Sequence, residues 1–379
     1  MQIKNTLNQL FKIAANKGNI DAMYHCGMIL DNGEGIKMNK KEAAKFYKNA
    51  ADNGNIDAMY RYATMLDYGE GIRENIEQAI KYYKKAADKD HSEAMFRYSM
   101  IFYNGENVEI DYEEASKYFK KLAEKGNIDA MALFALIVFH NGASEIDRNL
   151  AIIYARKSAE EENEMGMYIY GRMLLGENDF IEEKDIDEAA FYFKESSNKG
   201  NPHSMIWYGQ MIDKGDISLK TEKKTSFYYY KKAKIILKKN IDLGFVDSMC
   251  LYGYMLIKGI GVSVNYKEAK YYFKMAADRG HTTSMLNYCH MFQIGFFINK
   301  KEAALYAKMA ADKGMGTAMY EYSKMLRNGE GVDKNINEGI RYLQMAIEKG
   351  CTKALKKYSE LILQGDDVPV YNKKVACYL

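Results

Sequence analysis

Asp21–Leu30 (DAMYHCGMIL), Asp31–Ile36 (DNGEGI) and Lys40–Asp52 (KKEAAKFYKNAAD), closed by Gly54, make one unit of about 36 residues. The first segment spaces its apolar residues for a helix. The second reads as a turn, because Asn-Gly and closely spaced glycines permit positive φ. The third reads as a second helix, and Gly54 is placed for a left-handed C-terminal cap. The unit recurs at anchors Ala22, Ala58, Ala94, Ala130, Gly166, Ser204, Ser248, Ser284, Ala318 and Ala354. A period of this length predicts stacked helix pairs, each burying its apolar face only against its neighbours. The expected fold is all-α, a solenoid of about ten helix pairs running through residues 1–379 as one domain.

Alignment of the copies shows what the unit holds constant. The anchor is small, and so is the position five later, as at Gly27, Ala63, Ser99, Gly209 and Gly253. Met commonly follows the anchor, Tyr commonly lies four after it, and positions seven and eight are apolar, as at Ile29 and Leu30. These spacings make one buried helical stripe. The second helix carries a ring at Phe46, Tyr82, Tyr118, Tyr154, Tyr192, Tyr229, Tyr272, Tyr306 and Tyr342. Burying each ring against small residues contributes on the order of 2 kcal/mol, so rings and methionines are read as core.

The pattern small-Met-x-x-Tyr-small-x-x-Leu, Gly-Glu-Gly-Ile/Val, Glu-Ala-x-x-Tyr-Tyr-x-x-Ala-Ala-x-x-Gly resembles the Sel-1-like repeat, a relative of the tetratricopeptide repeat, over about residues 8–379. The resemblance implies a right-handed superhelix with first helices lining the concave side. It also implies a protein-interaction scaffold or adaptor, including adaptors of endoplasmic-reticulum-associated degradation. Some bacterial relatives are secreted and rich in paired cysteines, which this chain lacks.

Composition narrows the classes further. A net charge of +3 gives no general electrostatic case for nucleic acid. No stretch approaches the roughly 18 apolar residues of a membrane span, and the N-terminus lacks the pattern of a secretory signal. Cys26, Cys250, Cys289, Cys351 and Cys377 are odd in number and do not follow the repeat, and no Asn-x-Ser/Thr acceptor occurs. A cytoplasmic, reducing location is expected, with endoplasmic-reticulum association as the alternative.

Residues two, six and nine after each anchor share a second face, which by the resemblance points into the groove. In the middle copies it reads Phe96, Met100, Tyr103, then Ala132, Leu136, Phe139, then Tyr168, Arg172, Leu175. One reading is an apolar cradle for an extended peptide or partner helix. The other is a tightly wound groove whose side chains pack on neighbouring helices. Farther on the face is polar and basic, with His290, Gln293, Tyr320, Lys324 and Arg327, suited to an acidic segment or to solvent. Trp207, three after its anchor, is a plausible interface anchor or inter-repeat contact.

Two copies, within 166–247, break the period. Residues 176–185 replace the glycine turn with an acidic loop, and a closing glycine delayed to Gly244 predicts a second helix about two turns longer from Ser226. Around it, Lys220–Lys239 interleaves lysines with Tyr228-Tyr-Tyr230, a pattern that can bind nucleic acid or an anionic membrane. It is read as a solvated face, because the Tyr positions are those of the repeat core. His25, His91, His140, His203, His281 and His290 are read as occupying unrelated places in their repeats, and Cys289-His290 with His281 lacks zinc spacing. No calcium loop, phosphate loop or nucleophile–base pair is found, so neither cofactor, metal nor catalysis is expected; an enzyme or ligand-binding solenoid is the alternative of another class. The apolar segments Val368–Tyr371 and Val375–Leu379 suggest a covering partner, a homodimer or a longer product.

Overall fold

The computed structural model describes residues 2–141, 145–177, 180–181, 183–216, 224–293 and 299–363. Among the described residues it forms twenty helices and no strand, and the chain divides into two compact units, residues 1–125 and 126–379. Unit 1 holds α1 (Gln2–Asn16), α2/α3 (Ile20–Asn32, Lys40–Asp52), α4/α5 (Ile56–Tyr68, Ile76–Ala87) and α6/α7 (Ser92–Asn104, Tyr112–Glu124). Unit 2 holds α8/α9 (Ile128–Asn141, Glu145–Glu160), α10/α11 (Glu164–Leu174, Ile186–Lys199) and α12/α13 (Pro202–Lys214, Lys224–Asp242). It continues through α14/α15 (Val246–Lys258, Tyr266–Ala277), α16/α17 (Thr282–Gln293, Lys300–Asp312), α18/α19 (Gly316–Asn328, Ile336–Glu348) and α20 (Thr352–Leu363). Within each unit every helix packs on the next in chain order. The C-terminal segments invoked above for a homodimer, and Cys377, lie outside the described residues.

In the glycine-bearing pairs the two helices meet where the small residue five after the anchor faces a second-helix ring. A Cβ at Gly27 would come within 2.6 Å of the Tyr47 ring, at Gly209 within 2.4 Å of Tyr230, and at Gly253 within 2.8 Å of Phe273. The ring concerned is one residue later than the aligned ring singled out from sequence. The aligned ring instead reaches the preceding second helix. Tyr82 Oη donates to Asp52 Oδ1 at 2.6 Å, Tyr118 to Asp88 Oδ1 at 2.5 Å and Tyr342 to Asp312 Oδ1 at 2.9 Å. Tyr82, Tyr118, Tyr192, Tyr306 and Tyr342 are buried as expected, whereas Phe46, Tyr154, Tyr229 and Tyr272 are half-buried. The Tyr82, Tyr118, Tyr306 and Tyr342 hydroxyls tie neighbouring repeats.

Caps delimit the helices. Second helices begin at Asn39, Asn75, Asp111, Asp185, Asn265, Asn299 and Asn335, each side chain accepting the N–H of the acid or amide three residues on. First helices begin at Asn19, Asn55, Asn163 and Asn201, and at His91 and His281. The histidines therefore do not all occupy unrelated places: His91 and His281 both stand three before an anchor and cap with Nδ1. That contact leaves the Nε2 proton for the neighbouring first helix. His281 Nε2 lies 2.9 Å from Asp247 Oδ1, and Asn163 Nδ2 donates to Asp129 Oδ1 at 2.7 Å in the same manner.

Gly331, the second glycine of its turn, lies with a virtual Cβ 2.0 Å from the Lys300 carbonyl oxygen, so the turn crosses directly over the preceding second helix. The delayed glycine has the expected effect. Helix α13 has 19 residues where the preceding second helix has 14 and the following one 12.

Two second helices lack the closing glycine, and Asp90 (φ 76°) and Glu162 (φ 58°) take the left-handed conformation instead. Such a conformation costs a residue with Cβ roughly 1 kcal/mol. Glu162→Gly is expected to raise the urea midpoint by about 0.5–1 kcal/mol equivalent, since the exposed Glu162–Lys199 pair it removes is worth little. A lowered midpoint would show that the ion pair outweighs the strain.

Acid sensitivity follows from the inter-repeat carboxylates. Glu302 accepts from the Lys274 ammonium and, at 2.9 Å, from Tyr288 Oη. The Lys274 bond, working against burial, holds Glu302 below its usual pKa. A lowered folded pKa gives stability that is present above the unfolded value and is lost as pH falls through the folded one. Glu302→Gln is thus expected to cost about 1 kcal/mol at pH 7 and nothing once the pH is well below about 4. A difference from wild type that stays constant down to pH 3 would sink this assignment.

Candidate partner-binding site

The first-helix face begins, in unit 1, with Phe96, Met100 and Tyr103, all half-buried. Their rings lean on the second helix of their own pair: Phe96 and Tyr103 sit edge-on to Phe119 at 5.9 and 6.3 Å. In unit 2, Leu136 and Ala132 are buried, and Phe139 and Tyr168 are only 2% and 4% exposed. Those side chains pack largely against neighbours, whereas Arg172, Leu175 and Trp207 remain part-exposed.

Arg172 draws this part of the face together. Its Nε donates to Glu177 Oε2 at 2.9 Å and its Nη1 to Tyr168 Oη at 3.0 Å, while Nη2 completes the fork to Glu177 at 2.5 Å. The guanidinium carbon stands 4.5 Å from the Phe139 ring centre, 5.5 Å from Trp207 and 5.6 Å from Tyr168. Cation–π attraction of this kind strengthens as water is excluded, and the Arg172 side chain is only 14% exposed. Trp207 lies flat on Phe193, 13° from parallel at 5.9 Å, and His203 tilts over Tyr168 at 5.0 Å. Chain spacing thus brings Phe139, Tyr168, Arg172 and Trp207 together as one cluster. Glu177, from the irregular acidic loop, and His140, at the end of α8, join it without having been singled out for it.

His140 Nε2 lies 3.4 Å from Arg172 Nη1. That contact is a hydrogen bond only while Nε2 carries no proton. The surrounding protein and then the Arg172 charge push the His140 pKa below the usual imidazole range. Burial also lowers His203, with Asp247 opposing and Arg172 assisting. At neutral pH the cluster therefore presents one fixed cation with neutral imidazoles, not a row of charges.

The face is less free to vary than its composition suggests. Where the facing second-helix ring is Tyr47, Tyr83 or Tyr230, the residue nine after the anchor is Asp31, Asp67 or Asp213, which accepts the phenol hydrogen bond at 3.4, 3.1 or 2.8 Å. Where the ring is Phe119, Phe193 or Phe273, that residue is Tyr103, Leu175 or Ile257. The apolar stretch of the face follows rings without hydroxyls. In unit 1, Asp67 is also gripped by Arg97, with Nε at 2.8 Å and Nη2 at 3.1 Å, and Arg97 reaches Glu106 at 2.6 Å. Helical spacing alone does not mark this second arginine hub.

Toward the C-terminus the basic residues are partly balanced. His290 Nε2 lies 3.7 Å and Lys324 Nζ 3.9 Å from Glu321, a mostly buried carboxylate. The Gln293 side chain lies outside the described residues. Cys289 is fully buried, and burial pushes its thiol up to about 12. Among the described residues no group of three or more His, Cys, Asp or Glu is placed to hold a metal ion, and no helix is long and apolar enough to cross a membrane.

Replacing Arg172 by Gln is expected to raise the His140 pKa, because the nearby positive charge is removed. Titration of the imidazole protons by NMR reads this directly, and an unchanged His140 midpoint would contradict the contact.

Among solved structures, a protective antigen of uropathogenic Escherichia coli with an SLR fold is 23% identical, covering 94% of this chain and 75% of its own, at a TM-score of 0.47. A Sel1 repeat protein from Oxalobacter formigenes is 25% identical over 57% of this chain and 85% of its own, at 0.45. Human IFIT1, solved as a dimer with m7Gppp-AAAA, is 15% identical over 91% and 82%, at 0.43. No curated protein sequence matches. The Sel1 repeat family model matches residues 20–55, 56–91, 92–127, 128–163, 165–201, 202–234, 246–281, 283–315 and 316–351. Proteins of this kind are generally non-catalytic interaction scaffolds, and with nine repeats matched the chain belongs to the Sel1 repeat family.

Proposed function

We propose that this chain is a protein-binding scaffold whose first-helix face in unit 2 holds an extended peptide or a helix of a partner protein. The carrying observation is the Arg172 cluster: a guanidinium fixed by Glu177 and Tyr168, ringed by Phe139, Tyr168 and Trp207. Arginine, tyrosine and tryptophan dominate the energetics of protein interfaces, most of all where their side chains are held in place before the partner arrives. Phe139 and Tyr168 support the cluster from beneath, and the part-exposed Trp207 and Arg172 offer the contacting surface. In unit 1, Phe96, Met100 and Tyr103 form by themselves a half-buried apolar face of α6. A reducing compartment suits the four buried free cysteines, Cys26, Cys250, Cys289 and Cys351.

Cross-linking mass spectrometry in the native cell, repeated with Trp207→Ala and Arg172→Ala, tests the reading. Partner cross-links near α10 and α12 are expected in the wild type and at least tenfold weaker in the variants, with helical circular dichroism retained. Undiminished cross-links, or cross-links confined to other faces, would overturn it.

A further inference from the structure

The second helices of unit 2 carry a feature unrelated to the first-helix face. The residue immediately before the aligned ring is Lys45, Lys81 and Lys117 in unit 1. In five consecutive copies of unit 2 it is Ile153, Phe191, Tyr228, Tyr271 and Leu305, which are 58%, 57%, 51%, 62% and 55% exposed. Scattered exposed apolar side chains are ordinary. Five at one register on α9, α11, α13, α15 and α17 are a stripe, and contiguous apolar surface marks an interaction site.

The three rings of the stripe are held in the same way. Phe191, Tyr228 and Tyr271 stand edge-on to Tyr192, Tyr229 and Tyr272, with centroids 5.3, 5.4 and 5.4 Å apart and planes at 71°, 79° and 70°. Each keeps one edge against the aligned ring of its own helix and the rest of its surface in solvent.

Charge centres on the long helix. Helix α13 contains six lysines and one carboxylate, Asp242. Lys231, Lys232, Lys238 and Lys239 are exposed and have no carboxylate partner among the described residues. They alternate along the helix with Tyr228 and Ile235, the latter 60% exposed. On the flanking helices three of the four corresponding cations are paired, Arg156 with Glu160, Lys274 with Glu302 and Lys308 with Asp312, while Lys194 of α11 is exposed. Helix α13 is therefore the most basic of the five helices that carry the stripe. The stripe is one residue wide on each helix, narrower than the broad apolar face that inserts into a bilayer.

We propose that this stripe docks an acidic amphipathic helix of a partner protein. Seven residues of a helix rise about 10.5 Å, so a partner helix crossing the stripe presents a recurrent apolar edge to it, and its flanking carboxylates meet the α13 lysines. The surface is distinct from the Arg172 cluster, so either can fail without the other.

The test uses the full chain and a fluorescently labelled, 28-residue synthetic helix with leucine at every seventh position, glutamate beside each leucine and alanine elsewhere. A twin carries lysine for glutamate. Anisotropy should show the acidic peptide binding at least tenfold more tightly than the twin, weakening with salt. Binding should fall at least tenfold with Phe191→Asp plus Tyr271→Asp, and likewise with Lys231→Glu plus Lys238→Glu. It should not change with Arg172→Ala plus Trp207→Ala. Circular dichroism verifies folding, and the charge-reversal pair, wholly on the surface, covers any loss of structure in the aspartate pair. Equal binding of both peptides, no binding, or indifference to the stripe variants would overturn the proposal. So would preferential binding of phosphatidylserine vesicles or polyuridylate that the same variants abolish.

Discussion

The close approach of a glycine to an aromatic ring sets the geometry of the pairs α2/α3, α10/α11, α12/α13 and α14/α15. At Gly209 there is no room for even one carbon beside Tyr230, and at Gly27 none beside Tyr47. Close packing of this sort makes interiors intolerant of added volume. The distance between the two helices fixes how far the Gly-x-Gly turn must travel, and hence where Gly331 crosses Lys300. It also fixes where the next ring emerges to meet a carboxylate such as Asp52 or Asp312.

Hydrogen bonds then supply direction to contacts that packing alone leaves free to slide. Apolar faces attract without preferring a register. A phenol reaching an aspartate 30 residues earlier, and an Asn163 or His281 cap reaching the previous first helix, each have one satisfying position. Together they hold first helices beside first helices and second beside second. That arrangement brings Arg172 within reach of Phe139 on one neighbour and Trp207 on the other.

The fold was legible because packing repeats with the chain: small residues, rings and glycines recur at the same offsets. The caps were just as visible, since Asn19, Asn55 and Asn163 share one offset, but short polar residues before a helix were not read as a ladder. His91 and His281 were misplaced for the same reason. The candidate site was legible in part. Helical spacing put Phe139, Tyr168 and Arg172 on one face, but periodicity does not reveal what covers a side chain, and Phe139 proved buried. Glu177 was hidden because it comes from the loop that breaks the period. The outer stripe was hidden differently: its residues adjoin the rings that alignment had assigned to the core.

The coupling of phenol and carboxylate within a pair bears on how such a chain diversifies. Exchange of whole repeats by unequal recombination keeps Asp67 with Tyr83, or Tyr103 with Phe119. A crossover inside a repeat, placing α4 before α7, would face the buried Asp67 carboxylate with a ring that has no hydroxyl. An unsatisfied buried acceptor costs about 1–3 kcal/mol. The phenol–carboxylate pairing is therefore kept when copies move as wholes and lost when they move as halves, and breakpoints of duplication are expected between second and first helices rather than in the glycine turns.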